Sequence, residues 1–121
     1  MDDYTTEEVR EALAPIASLL SKSEKSQLKV PQGTWQHRML GDNIKALRMG
    51  LALIGEASGD SDEPTRSDLE EALGALDSMI ERVDRTQAKF SPGTSQHSLQ
   101  RNRLKALRIA RSAVMSALDA R

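Results

Sequence analysis

Gly33-Thr34-Trp35-Gln36-His37, followed by Lys45-Ala46-Leu47-Arg48, returns sixty residues later as Gly93-Thr94-Ser95-Gln96-His97 and Lys105-Ala106-Leu107-Arg108. Extending the comparison outward aligns residues 7–58 with residues 67–118 without a gap, and 15 of the 52 aligned positions are identical. That is several times what chance gives, so the chain reads as two copies of one supersecondary unit. Glu11-Ala12-Leu13 matches Glu71-Ala72-Leu73, and Gln27 and Lys29 match Gln87 and Lys89.

Each unit has the pattern of a helical hairpin. Val9, Leu13, Ile16 and Leu20 recur at helical spacing before the Gly-Thr block, as do Leu69, Leu73, Leu76, Ile80 and Val83 in the second copy. Leu40, Ile44, Leu47, Leu51 and Ile54 follow the first block, and Leu104, Leu107, Val114 and Leu118 follow the second, with Arg111 at the place of Leu51. Such spacing lines one face of a helix with apolar side chains. Thr5 with Glu8, and Ser67 with Glu70, form capping-box patterns, while Thr34 and Thr94 stand where an N-cap belongs. Val30-Pro31-Gln32-Gly33 and Phe90-Ser91-Pro92-Gly93 are turn chemistry, and Ser58 to Pro64 reads as a polar, acidic linker.

The spacing predicts four helices, at about 5–28, 35–57, 66–88 and 95–119. Short connections make neighbours antiparallel. The expected fold is all-α, an up-down-up-down four-helix bundle made of two tandem-repeated helical hairpins, within a single helical domain over 1–121. The expected state is a monomer or a hairpin-swapped homodimer. Pro15 is expected to kink helix 1. Ala46, Gly50 and Ala57 on helix 2 match Ala106, Ala110 and Ala117 on helix 4, and with Ala113 they form small-residue stripes that let helices approach closely.

Composition narrows the chemistry. The chain has 121 residues and no cysteine, which excludes disulfides, thiolate catalysis and Cys-ligated metal. Its aromatic residues are Tyr4, Trp35 and Phe90, and its formal net charge of −1 gives no global field for nucleic acid or an acidic membrane. The N-terminus is acidic with no apolar stretch behind it, so no secretory signal and no membrane span are expected, and the setting is expected to be cytoplasmic. Thr34 and Thr94 precede His37 and His97 by three residues, where a di-iron bundle carries glutamate. No nucleotide-binding glycine loop, metalloprotease motif or nucleophile elbow occurs. The expectation is a protein without catalytic residues, metal or cofactor.

Three binding readings remain, on two surfaces. The first is the end carrying both turns, with Thr34, Trp35, Gln36 and His37 beside Thr94, Gln96 and His97. There Trp35 and Phe90, with Leu28 and Val30, are read as a lid over the core, the alternative being a Trp35 anchor for a partner protein. The second is an anion site at the same end, where two helix N-termini present free N–H groups. The competing structural reading makes the threonines plain caps. The third is a basic face on helix 4 formed by Arg101, Arg103, Lys105, Arg108 and Arg111, a weak nucleic-acid binder at most. No aromatic interleaves it and no recognition-helix motif accompanies it. Matching offsets in the two hairpins further predict cross-helix ion pairs Glu11–Arg48 and Glu71–Arg108. The leading expectation is a small non-enzymatic module that binds a protein partner.

Overall fold

A computed structural model describes residues 4–55 and 63–120. These residues form four helices and no strand: α1 (Thr6–Leu28), α2 (Trp35–Ile54), α3 (Arg66–Gln87) and α4 (Ser95–Asp119). Their starts are fixed by side chains that satisfy otherwise free N–H groups. Thr5 caps α1, and the Glu8 side chain accepts from the Thr5 N–H at 3.0 Å in return. The equivalent box on α3 is Thr65 with Asp68, at 3.1 and 3.0 Å. The expectation of Ser67 and Glu70 is thereby corrected by two residues. Thr65 takes the extended backbone that a cap requires (ψ 164°), whereas Ser67 already lies within the helix. α2 also ends earlier than residue 57, because Gly55 turns to extended backbone after Ile54. Most of the acidic linker reading falls on residues 56–62, outside the described residues.

α1 is continuous through Pro15, which stands half-buried. Both connectors turn on a glycine with positive φ, Gly33 at 86° and Gly93 at 91°. That region is sterically open to glycine and strained for other L-residues.

Leu47, Leu69, Leu76, Leu107, Ile16, Ile109 and Val114 are completely buried at the centre. Removing a side chain of this size from water contributes about 2 kcal/mol. The first helix of each hairpin buries a slightly different stripe from the one the spacing suggested. Ala12 and Ile16, and Leu69, Ala72, Leu76 and Met79, are buried, while Leu13, Leu73, Ile80 and Val83 are half-buried. Of the small-residue stripes, Ala46, Gly50, Ala106, Ala110 and Ala113 are buried and Ala117 is half-buried, while Ala57 lies outside the described residues. Each helix packs on its neighbours in the order α1, α2, α3, α4 and back to α1, and the α2 and α4 backbones also approach closely, whereas those of α1 and α3 stay farther apart. The small residues explain this unequal pairing of diagonals, since a larger side chain at Gly50 would hold α2 off α4.

Among the described residues no helix is long and apolar enough to cross a membrane.

Candidate functional site

The two turns are built alike. Thr34 Oγ1 accepts from the His37 N–H at 3.2 Å and donates to the Pro31 carbonyl at 2.7 Å. Thr94 accepts from the His97 N–H at 3.1 Å and donates to the Ser91 carbonyl at 2.8 Å. Both hydroxyls are thus committed within the turn as donor and acceptor. The repeated glutamines brace the same turns. Gln27 donates to the His37 carbonyl at 3.2 Å, and the Gln87 amide lies 3.5 Å from His97 Nε2. Gln36 and Gln96 are exposed, and both histidine side chains are half-buried. Each histidine is tied to the glutamine of its own hairpin.

The lid reading fails for two of its four members. Trp35 is 67% exposed and Leu28 is 88% exposed, while Val30 and Phe90 are half-buried. Leu28 is the last residue of α1 and Trp35 the first of α2, and both side chains stand in solvent.

Trp35 instead stands at the mouth of a groove of about 640 Å³ between α2 and α3. Met39 and Ala75 give it an apolar lining, and Asp42, Glu70 and Glu71 lie at the part away from the turn. Arg82 and Arg85 lie toward Trp35, on the last turns of α3. Arg85 pairs with Glu81 at 3.1 Å, and the Arg82 guanidinium rests on the Met39 sulfur at 3.4 Å. Gly74 opens the wall: a Cβ placed there would meet nothing within 4 Å. Sequence reasoning missed this groove because it lies between hairpins, and spacing within a hairpin does not report on it. Two signals were present: a glycine inside a helix at Gly74, and a polar Asn43 on a core-facing stripe. Asn43 is buried and lines the groove, and Arg103 stands sixty residues on in the sequence.

The basic stripe of α4 is divided among acidic neighbours. Lys105 Nζ pairs with Glu8 at 2.8 Å, and Arg111 Nε pairs with Asp77 at 2.5 Å. Arg103 is half-buried, with its Nε buried and unpartnered. Arg101 and Arg108 are exposed and make no ion pair among the described residues. The expected Glu11–Arg48 and Glu71–Arg108 pairs are not formed. Arg48 pairs with Glu24 at 2.6 Å, thirteen residues further along α1 than Glu11. In sequence Asp84, one methylene shorter, takes the place of Glu24 sixty residues on, and Arg108 makes no ion pair with it.

The electrostatics concentrate where the hairpins meet. The hydrogen bond from Lys105, with that from the Thr5 N–H, lowers the Glu8 carboxyl from 4.5 to about 2. Lys105 is raised in turn, chiefly by Glu8. Asp68 is lowered mainly by the Thr65 N–H, with Lys45 close enough to add to it. Glu8 with Lys105 and Asp68 with Lys45 are the same pair of positions, exchanged between hairpins. Among the described residues no group of three histidines or carboxylates could hold a metal ion.

No protein-family model, curated protein or solved structure matches this chain.

Proposed function

We propose that this chain is a non-enzymatic interaction module that binds a partner protein along the α2–α3 groove, with Trp35 as the anchor. The observation that carries this reading is the exposure of Trp35, at 67%, beside a groove with an apolar lining. Leaving a tryptophan in water forgoes roughly 2–3 kcal/mol of burial. The fold does not demand it, since serine occupies the matching position 95. Aromatic side chains of this kind are the residues that most often carry an interface.

The same reading takes the fold as an up-down-up-down bundle of two tandem hairpins. Contacts support it from both ends. Gln27 meets His37 near the first turn, and the Leu13 side chain stands beside Gly55 at the opposite end. Trp35 shares its groove with Arg85, at the far end of α3, while Met49 shares a smaller one with Glu71 and Ala72. Both turns then lie at one end, which is the end that carries Trp35.

The test is affinity capture from the source lysate with the wild type, Trp35→Ser and Gly74→Gln. A protein captured by the wild type and lost with both variants is the expected result. Capture that ignores both substitutions, or none at all, would overturn the reading. Both variants are expected to fold, because serine is native to the second hairpin at this position and the space beside Gly74 is open.

A further inference from the structure

We propose that the occupant of the α2–α3 groove is an amphipathic helix of about four turns, acidic over its N-terminal half. It lies with that half toward Arg82 and Arg85. The inference rests on the groove being the interaction site and adds the chemistry of what fills it.

Length comes first. On α3 the lining runs from Glu70 to Arg85. That is fifteen rises of 1.5 Å, about 22 Å, the length of a helix of about fifteen residues. Backbone chemistry comes next. No strand exists among the described residues, so an extended peptide would find no sheet edge to pair with. A helix satisfies its own N–H and C=O groups and needs only an apolar seam. Trp35, Met39 and Ala75 supply that seam, and the missing side chain at Gly74 lets a second backbone come close.

Charge sets which half faces the arginines, and the helix dipole sets which half is N-terminal. Residues 22–39 and 81–103, which flank the two turns, hold nine Lys and Arg against Glu24, Glu81 and Asp84, a local excess of +6 in a chain of net charge −1. Of the two groove arginines beside Trp35, Arg82 has no carboxylate partner among the described residues. The part away from the turn carries Asp42, Glu70 and Glu71. A helix with acids toward its N-terminus and bases toward its C-terminus complements both parts. The same charge order also suits that helix's own macrodipole. Glu70 pairs with Arg66 at 3.2 Å, but Asp42 and Glu71 make no ion pair among the described residues and repel phosphate there, which disfavours a nucleic acid or a lipid headgroup as occupant.

The test uses a phage-displayed library of random 16-residue peptides, panned against the full chain. The expected winners carry apolar residues at i, i+3, i+4 and i+7, acids in the first half and bases in the second. Synthetic copies should shift the emission of Trp35, the chain's single tryptophan, and become helical on binding. Their affinity should fall at least tenfold with Arg82→Glu, and at least tenfold for a peptide whose charge order is reversed. Winners with the opposite charge order, or binding indifferent to both changes, overturn the proposal while leaving the groove as the interaction site. If no winner depends on Trp35, the interaction reading fails and takes this proposal with it. Trp35-dependent binding to phosphatidylserine vesicles, in the absence of peptide winners, replaces the helix with a lipid surface. Thermal melts of each variant, unchanged from the wild type, establish that a lost signal is lost binding.

Discussion

Gly50 and Ala110 face each other across the α2–α4 contact, sixty residues apart in sequence and at matching positions of the two hairpins. A Cβ placed on Gly50 would stand 3.1 Å from the Ala110 Cβ, closer than such atoms normally approach. The contact has no room for a larger residue on either side, since both positions are buried. Gly50→Val should therefore destabilise the protein by about 1–3 kcal/mol through overpacking. Urea unfolding measures this directly, and a stability equal to wild type would show that the helices can separate at no cost.

Gly74 is the opposite case. It lies inside α3 in open space. Gly74→Ala should raise stability by about 0.5–1 kcal/mol, because alanine loses less backbone entropy in a helix. The midpoint of urea unfolding should move up with an unchanged slope. A decrease would mean that the backbone at residue 74 needs glycine for a reason the groove geometry does not contain.

The threonines of the turns should be caps in energy as well as in geometry. Thr34→Ala and Thr94→Ala should each cost about 1 kcal/mol, and Thr65→Ala a similar amount. Ser67→Ala, one residue inside the start of α3, should stay within about 0.5 kcal/mol of wild type. A reversal of the last two would restore the capping box to Ser67 and Glu70.

The Glu8–Lys105 pair makes a signed prediction about pH. The Glu8 carboxyl titrates at about 2 in the folded protein, below its ordinary 4.5. A depressed carboxylate contributes stability that is fully present above its ordinary value and is lost as pH falls toward the folded one. The difference in melting temperature between wild type and Glu8→Gln should therefore be constant above about pH 5 and close on descending to pH 2. A gap independent of pH across that window would remove the ionised pair from the account of stability.

Trp35 offers a check on its own exposure. As the single tryptophan, at 67% exposed, it should emit in the native state nearly as it does in urea. A large red shift on unfolding would return Trp35 to the lid over the core. The same measurement gives the baseline for the peptide experiments.

The sequence by itself determined the four helices, the turns and the caps of α1, α2 and α4, but placed the cap of α3 two residues late. Helical spacing of leucines and a threonine after each turn glycine are local signals, acting over a few residues. Glycine at 33 and 93 takes positive φ and threonine at 34 and 94 caps the helix that follows, both uses a local reading offers. Tertiary structure decided what local signals do not carry. Arg48 could have met Glu11 or Glu24, and the choice depended on how far one helix slides along the other. Lys105 found its acid at Glu8, on the other hairpin, where no spacing within the hairpin would point. Trp35 had an apolar side chain fit for a lid, and the packing left it 67% exposed beside the α2–α3 groove. Its groove draws one wall from each hairpin, so it comes into being only when the two pack together.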